Sequence, residues 1–518
     1  MRDRQFMENL AHFWPAFGIA LATFGLIVAL MAGIAPLGVP GEWQWMLKRL
    51  NSGYKILYPF CPILLLGIFG FVAIKRVCIS HNGFPKSSQI LPAILAFSLT
   101  VCIMYMHPDG PSQVTSLILN PASNSYYQTA VEYQDILNLL ADYHEKMPWL
   151  ISHAKTQAPG PVILHWLFHK IFAHSSFAMD VADVALFIGS GINCHIAANL
   201  FQNFWGGWIQ PENVAVAFWI SLTLCAMGSL AVIPLYHFVR RIVGIEAAIG
   251  SVILFPVIPS FSLFAPSVDQ LYPAVTLAVF CLAEAAIDSL LDRRTASASM
   301  WSAFVGLVLG IGIFCNMGLV VILLLVTLYV WFRIIAAHEN FSKKFRNFSA
   351  FFCCMLGAML LLFLLFWLLF RFNLLATFLV SDAFRSELYA GPPARTYWKW
   401  LLWSPIDFFL FSGLPLVWLF TEGIVKDFIR LKRSRKVEPL HCFSAAFLLT
   451  FIALDLSGKV RGESGRMWMF LMPCLIPHAT WCLQSHKWCE FRHRLLVVFL
   501  LQAIIVVALR EYVLVWGY

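Results

Sequence analysis

Long apolar stretches alternate with short polar ones along the whole chain of 518 residues. A stretch of about 18 or more apolar residues is long enough to cross the hydrocarbon core of a bilayer as a helix. The pattern predicts an all-α polytopic membrane protein with about 13–15 transmembrane helices. The segment 179–201 fits least well, because it contains Asp180 and Asp183. The predicted spans are 12–36, 56–74, 89–106, 160–175, 179–201, 213–239, 245–264, 270–289, 300–315, 317–335, 348–370, 400–420, 440–456, 467–484 and 495–510.

The composition excludes a soluble domain. Hydrophobic residues make up 60% of the chain and charged residues 12%, so there is too little polar surface to cover a soluble fold. The net charge of +9 therefore indicates membrane orientation, and we expect no nucleic-acid partner. The 13 cysteines are scattered and form no CxxC pair, which argues against structural zinc and against a disulfide framework.

Lysine and arginine concentrate in alternate loops, most densely in residues 426–436. Because positively charged loops stay on the cytoplasmic side, the opposite, outer face receives the long polar segments. These are 38–55, 107–160, 371–399 and 454–470. We divide the chain into N-terminal transmembrane helices (1–88) and a transmembrane core (89–518), in which the outer-face loop 107–160 is where chemistry is expected. The spacing of Tyr126, Ala130, Tyr133, Leu137 and Leu140 in this loop predicts one amphipathic surface helix.

Three outer-face motifs contain candidate site residues. Asp109 in "HPDGPSQ" either forms part of the turn that Pro-Asp-Gly favours, or it acts as a general base or metal ligand. His153 precedes the helix-breaking "APGP" and is either an interfacial residue or a substrate contact. Asp269 in "FAPSVDQLYP" either caps a helix or contacts substrate.

The stretch "LDLSGKVRGESGRMWMF" (454–470) places five charges between two apolar runs. Arginine is suited to bidentate phosphate contacts, and a helix N-terminus adds backbone donors. The stretch therefore predicts a site at headgroup depth that binds a lipid-linked phosphate through Arg461, Arg466 and Lys459. Asp455 and Glu463 are expected to orient these cations or to hold a metal. The alternative is simple interfacial anchoring.

The motifs resemble the GT-C superfamily of membrane glycosyltransferases, which includes the dolichyl-phosphate-mannose protein mannosyltransferases and the bacterial aminoarabinose lipid A transferases. The resemblance spans most of the chain, and each motif is weak by itself. The motifs are "GVPGEWQW" (38–45), "SNSYY" (123–127), "HAKTQAPGPV" (153–162), "FAPSVDQLY" (264–272) and "DLSGKVRGESGRMWMFLMP" (455–473).

The resemblance implies inverting transfer of a sugar from a polyprenyl-phosphate donor to an acceptor on the outer, periplasmic face of a bacterial inner membrane. It implies a carboxylate base in the first large loop and, in some members, a divalent metal such as Mg²⁺ or Mn²⁺. Since "SNSYY" lacks the usual acid, Asp109 and Glu42 compete for the base role. Substrate contacts are expected from Asn124, Tyr127, His153, Asp269 and Glu463. The acceptor is a lipid, a glycan or a protein, and the other partners are membrane lipids.

Two other classes stay open. A transporter or flippase of lipid-linked glycans usually carries charges near the bilayer midplane and repeated halves. The chain shows no clear repeat, and mid-span charges are scarce apart from Asp180 and Asp183. A polymerase or ligase of surface polysaccharides also uses outer-face arginines, so only the family motifs separate it from the first hypothesis.

Overall fold

The computed structural model of the protein describes residues 2–35, 37–80, 89–133, 135–337, 340–485 and 490–515. The predicted all-α polytopic membrane class is confirmed. The helices in chain order are α1 (Arg2–Met31), α2 (Phe60–Ser80), α3 (Ile90–Met104), α4 (Gly110–Leu119), α5 (Ser125–Glu132), α6 (Ile136–Leu140), α7 (Tyr143–Lys146), α8 (Gly160–Phe172), α9 (Ser176–Ser190), α10 (Cys194–Trp205), α11 (Pro211–Ser229), α12 (Val232–Ile242), α13 (Ile245–Leu254), α14 (Pro259–Leu263), α15 (Tyr272–Leu291), α16 (Thr295–Cys315), α17 (Val320–Ala336), α18 (Phe341–Phe370), α19 (Leu374–Ala390), α20 (Tyr397–Ser412), α21 (Leu414–Ser434), α22 (Pro439–Leu456), α23 (Ser464–Met467), α24 (Ile476–Ser485) and α25 (Phe491–Tyr512).

Four two-residue strands form two antiparallel pairs. The pairs are β1 (Gly38–Val39) with β2 (Trp43–Gln44), and β3 (Met46–Leu47) with β4 (Val513–Leu514). The first pair turns the chain back on itself at Glu42, and the second ties the loop after α1 to the end of α25. These pairs fix the position of "GEWQW" without forming an extended sheet.

Within the described residues, eight helical segments are long and apolar enough to cross a membrane, and ten if each of two bent helix pairs counts as one span. Three shorter apolar helices, of 10–17 residues, lie at 17–31, 90–104 and 245–257. By length and composition alone, the number of spans is lower than the 13–15 predicted. The physical reason is that breaks divide several of the predicted spans into shorter helices.

The predicted span 179–201 is divided between α9 and α10. Gly191 ends α9 in the left-handed conformation (φ +72°), and its N–H donates to the carbonyl of Phe187. The side chain of Asn193 then caps α10 by accepting from the N–H of Ile196. Asp183 accepts a further N–H from Cys194 at 2.7 Å. This acid therefore stabilises a helix start, which accounts for one of the two mid-span charges.

The predicted span 400–420 bends by 111° between α20 and α21. Gly413 has φ +93°, and a Cβ there would lie 1.9 Å from Nε2 of Gln502. That amide donates to the last carbonyl of α20, at Ser412, over 2.6 Å. Pro415 lies in the first turn of α21, where proline is tolerated. Glycine, glutamine and proline together terminate one helix and start the next.

The loop predicted as one surface helix contains three short helices instead, α5, α6 and α7. Asp135 accepts the N–H groups of Leu137 and Asn138 at 3.1 Å, so this exposed residue caps α6 and marks a break in the predicted longer helix. Leu137, predicted on the apolar face, is exposed. The buried cluster instead includes Ile136, Leu139, Tyr143, Met147 and Leu150.

Two compact units divide the chain. The first comprises Met1–Ile103, Gly228–Phe264 and Tyr397–Val515, and the second comprises Met104–Met227 and Ala265–Thr396. In the first unit, α25 packs against α1, α2, α13, α14, α21 and α24. In the second, α16 packs between α15 and α18. The predicted division after residue 88 stays a prediction, since residues 81–88 lie outside the described part of the chain.

Among the spans, α18 has the least protein contact. Its apolar window is 11% buried inside the protein. The exposed residues are large and apolar, including Leu360, Leu361, Leu364 and Leu365. In a membrane protein such a surface meets lipid acyl chains.

Candidate functional site

The charged turn, which we define as residues 455–468, lies in the first unit and runs from the end of α22 through α23. Its backbone is left-handed at Gly458 (φ +59°), Gly462 (φ +104°) and Glu463 (φ +56°). Glycine adopts this conformation without a steric penalty, whereas a non-glycine residue there costs about 1–3 kcal/mol. A glutamate held in this conformation indicates a turn whose shape is fixed by its surroundings.

One face of α20 packs along the charged turn. Trp400, Ser404, Asp407 and Phe411 follow one another at intervals of four, three and four residues, so they share one side of the helix. All four are buried. Ser404 Oγ donates to the carbonyl of Val460 at 3.4 Å, which joins this face to the first half of the turn.

Asp407 joins three segments that are distant in sequence. Its Oδ1 accepts the indole N–H of Trp45 at 2.7 Å, and its Oδ2 accepts the backbone N–H of Gly465 at 2.7 Å. The residue is 3% exposed. Hydrogen bonds to a carboxylate are among the strong ones, and a buried carboxylate needs them to offset the loss of water. Asp407 therefore fixes the loop before β3 and the charged turn relative to α20.

The two arginines of the turn are held differently. Arg466 pairs with Glu463 at 2.8 Å, with 15% of its side chain exposed. The Nε of Arg461 donates to the carbonyl of Gly458 at 3.2 Å, and its guanidinium lies 5.5 Å from the ring centre of Tyr397. That ring is fixed in turn, because its hydroxyl donates to a carbonyl at the end of α22. Both cations are thus oriented by neighbouring groups.

The remaining predicted members of this site also lie in the turn. Lys459 is exposed, and Asp455 is half-buried at the end of α22. All three predicted phosphate ligands therefore lie in this turn, and Glu463 pairs with Arg466, which agrees with one of the two roles expected of it. A divalent metal at this turn stays a prediction. Within the described residues, no group of three or more His, Cys, Asp and Glu side chains is arranged to hold one.

One part of the predicted phosphate site is wrong. The helix within the turn, α23, has only four residues, and most of its N–H groups are already used. Gly465 donates to Asp407, while Arg466, Met467 and Trp468 donate to carbonyls of the turn. The helix start therefore offers no set of free backbone donors, and side chains alone are left to bind an anion.

Glu42, one of the two predicted bases, is engaged on both oxygens. Lys399 Nζ lies 3.0 Å from Oε1, and the indole N–H of Trp400 donates to Oε2 at 3.0 Å. The side chain is 7% exposed. Both oxygens of this carboxylate are therefore occupied by protein groups. This pairing favours a structural role for Glu42 in the first unit.

Asp109, the other predicted base, lies in the second unit at the start of α4. Its carboxylate is 69% exposed and lies 3.6 Å from Nδ1 of His107. The predicted turn is present, with Gly110 at φ +53°, but the Asp109 side chain makes no capping bond. The backbone carbonyl of Asp109 instead accepts from Ser112 and Ser190. The carboxylate is therefore presented to solvent on a loop that its backbone holds firmly.

Asn124 and Tyr127 of "SNSYY" belong to a buried polar network in the second unit. Nδ1 of His165 donates to the carbonyl of Pro161, so the ring proton is on Nδ1 and Nε2 is an acceptor. Nε2 accepts from Asn124 Nδ2 at 3.2 Å. The hydroxyl of Tyr127 lies 3.1 Å from His169 Nδ1 and accepts from Asn213 at 3.3 Å. Burial raises the pKa of the Tyr127 phenol, so it stays protonated. The network links α5 to α8 and α11.

The last two predicted substrate contacts, His153 and Asp269, also lie in the second unit. The Nε2 of His153 donates to the carbonyl of Ala122 at 3.1 Å, which connects "SNSYY" to "HAKTQAPGP". Asp269 is half-buried in the 3₁₀ helix Val268–Leu271, one residue beyond the buried Val268. Its neighbour Gln270 is fully buried and accepts from Cys225 Sγ at 3.5 Å. Whether His153 and Asp269 contact substrate stays a prediction.

Sequence reasoning missed Asp407, which lies inside the predicted span 400–420. A signal was present, because a single carboxylate within a membrane span is costly and usually has a specific partner or function. It also missed His165 and Asn213, for which the sequence offers no comparable signal. A lone histidine or asparagine in an apolar segment does not indicate which residue it will bond.

No protein-family profile matches the chain, and no curated protein matches it. Similar solved structures include two of the Archaeoglobus fulgidus oligosaccharyltransferase. The complex with Zn and sulfate is 14% identical, with a TM-score of 0.44, over 82% of this chain and 53% of that chain. The apo form is 13% identical, with a TM-score of 0.46, and the match covers 83% of this chain and 57% of that chain. The chain spans about half the length of that enzyme, and likeness at this level does not assign it to a family.

Proposed function

We propose that the protein is a membrane glycosyltransferase that moves a sugar from a polyprenyl-phosphate donor to an acceptor hydroxyl. The observation that carries this proposal is the charged turn, in which Arg461, Arg466 and Lys459 lie together at the end of an apolar span. A lipid-linked phosphate has its charge at the membrane surface and its tail in the bilayer, which suits a cationic turn in this position. Simple anchoring requires no buried carboxylate to hold the turn.

The cations are proposed to bind the donor phosphate. Arg466 is oriented by Glu463, and Arg461 by the ring of Tyr397 and the carbonyl of Gly458. Such preorientation matters because the phosphate gains negative charge as the glycosidic bond breaks. Fixed donors aimed at a charge that develops in the transition state contribute more to rate than mobile ones.

Asp109 is the proposed general base. Its carboxylate is exposed, whereas that of Glu42 is bonded on both oxygens. In the proposed step, Asp109 takes the proton of the acceptor hydroxyl, whose oxygen attacks the anomeric carbon. The bond between that carbon and the phosphate oxygen breaks, and the phosphate leaves with the electron pair. Attack from the face opposite the phosphate inverts the anomeric configuration.

We further propose that the reaction takes place on the outer, periplasmic face of a bacterial inner membrane. The alternation of basic loops supports this orientation, because the densest cluster, 426–436, precedes α22 while the charged turn follows it. The two ends of an 18-residue helix lie about 27 Å apart, which supports placing the two segments at opposite membrane surfaces.

The test is a transfer assay with the purified protein in lipid nanodiscs and a panel of radiolabelled polyprenyl-phosphate sugars. We expect wild-type turnover with at least one donor and loss of turnover in Arg466→Ala and Asp109→Asn. The matched controls are Arg294→Ala and Asp292→Asn, which remove the partners of an exposed ion pair in the second unit. Such surface pairs contribute little, so both controls are expected to keep full activity.

Two results contradict the proposal. Turnover that survives Arg466→Ala would reject the phosphate site. If no donor is consumed but a labelled lipid-linked glycan crosses the bilayer of proteoliposomes, the protein is a flippase. The proposed roles of Asp109 and of the cations are then both wrong.

A further inference from the structure

Asp407 is the most buried acidic group that contacts the charged turn, and nothing in the proposed reaction uses it. It lies in a bent span, among aromatic rings, with 3% of its surface exposed. Its two hydrogen bonds, to Trp45 and Gly465, are both 2.7 Å long. Burying a carboxylate inside a membrane span costs free energy, so a carboxylate found there usually has a specific partner or function.

The bond to Gly465 is one of several contacts that fix a single peptide. The carbonyl of Gly465 accepts from Ser260 Oγ at 2.5 Å, so this residue is held on both its N–H and its C=O side. The ring of Phe411 lies so close that a Cβ on Gly465 would approach it to 2.5 Å. The next residue is Arg466, the proposed phosphate ligand. The backbone from which this arginine extends therefore has little freedom.

Two buried donors near this peptide have no hydrogen-bond partner within the described residues. They are Ser464 Oγ and the indole N–H of Trp468, both less than 2% exposed. Their residues lie one helical turn apart, since the N–H of Trp468 donates to the carbonyl of Ser464. Native proteins rarely leave buried donors unpaired, so this turn is suited to receiving acceptor oxygens from outside the protein.

We propose that Asp407 is a positioning residue for the charged turn: by holding the N–H of Gly465, it sets the direction in which Arg466 meets the donor phosphate. This inference rests on the proposed function for the identity of the anion. The contact between Asp407 and the turn does not depend on that identity. The role differs from that of Arg466 because Asp407 is an anion, which repels a phosphate, and both of its oxygens already accept hydrogen bonds from the protein.

The test compares Asp407→Asn with Asp427→Asn in the full-length protein in nanodiscs. Asp427 is a matched control, because it is also a 3% exposed aspartate of the first unit, and it bonds to Ser444 instead of the turn. Asparagine keeps the shape of aspartate, but one of its two polar atoms donates and so cannot accept both N–H groups. Hydrogen exchange of peptides covering 458–468 is expected to rise in Asp407→Asn and to stay at the wild-type level in the control.

Two further readouts separate positioning from simple stability. The donor kcat/KM is expected to fall at least about tenfold in Asp407→Asn and to stay within about twofold in Asp427→Asn at a temperature where both variants are folded. Phenylglyoxal labelling of Arg466, measured by mass spectrometry, is expected to be blocked by a polyprenyl phosphate in wild type and much less in Asp407→Asn. The labelling requires no turnover.

The outcomes distinguish this inference from the proposed function. If exchange of 458–468 is unchanged in Asp407→Asn, the inference is wrong whether or not a donor is consumed. If exchange rises while kcat/KM and labelling keep their wild-type values, Asp407 is only a structural residue and the inference is likewise wrong. If wild type consumes no donor, the proposed function fails, and loss of protection by polyprenyl phosphate in the variant still supports the positioning role.

Discussion

The Nε2 atom of His441 lies 3.3 Å from Oδ1 of Asp427, and both side chains are buried. The backbone N–H of Glu438 donates to His441 Nδ1 at 2.9 Å, which leaves the ring proton on Nε2, facing the carboxylate. Ser444 Oγ donates to the other carboxylate oxygen at 3.0 Å and lies 2.5 Å from Nε2 of His478. Side chains from α21, α22 and α24 thus surround one carboxylate at the end of α22 remote from the charged turn.

We expect Asp427→Ala to lower the free energy of unfolding by about 1–3 kcal/mol, because Ser444 loses one of its two acceptors and His441 loses the carboxylate beside its Nε2. Unfolding in a mixed detergent series measures this change. Asp292→Ala, at an exposed position, is the control and is expected to have little effect. A midpoint unchanged in Asp427→Ala would show that the network contributes nothing to stability.

The choice between the two predicted bases is open to a direct comparison. Asp109 is exposed, whereas Glu42 is paired with Lys399 and Trp400. We therefore expect Asp109→Asn to lower kcat by about 100-fold or more, and Glu42→Gln to keep most of the wild-type kcat. Initial rates at saturating donor and acceptor measure both. The reverse result, with Glu42→Gln inactive and Asp109→Asn active, would assign the base to the loop between β1 and β2.

Ser464 provides a test of whether the charged turn receives a ligand. Removing a buried hydroxyl that has no protein partner costs little stability, so Ser464→Ala is expected to unfold like wild type. If the hydroxyl meets the donor, the KM for the donor rises several-fold. Ser412→Ala is the matched control, because that buried hydroxyl bonds only to a carbonyl of its own helix. An unchanged KM in Ser464→Ala excludes contact between this hydroxyl and the donor.

Tyr127 was expected from sequence to contact substrate, and its burial leads to a different expectation. Its hydroxyl is bonded to Asn213 and lies beside His169, so Tyr127→Phe should cost about 1–3 kcal/mol of stability and leave the KM values within about twofold. Thermal unfolding and steady-state kinetics give both quantities. A KM that rises tenfold without loss of stability would restore Tyr127 to the substrate-binding residues.

The all-α membrane class follows from the length of the apolar segments, which needs no knowledge of tertiary contacts. The charged turn was also predictable, since its five charges are adjacent in sequence. The breaks between helices could not be predicted. Asp135 caps a helix only because the chain turns there. The break at Gly413 depends on Gln502, 89 residues later, which donates a hydrogen bond to the carbonyl of Ser412. Asp407 shows the same difficulty, because its partners lie 362 and 58 residues away.

The length of α18 ties the protein to the thickness of its membrane. Its 30 residues extend about 45 Å, whereas a typical hydrocarbon core is about 30 Å thick. The first turns carry Lys343, Lys344 and Arg346, which are most stable among lipid headgroups, so the surplus length is accommodated at that end or by tilt. Because lipid covers most of this helix, a thinner bilayer acts on it directly, and lipid chain length becomes an experimental means of tilting α18.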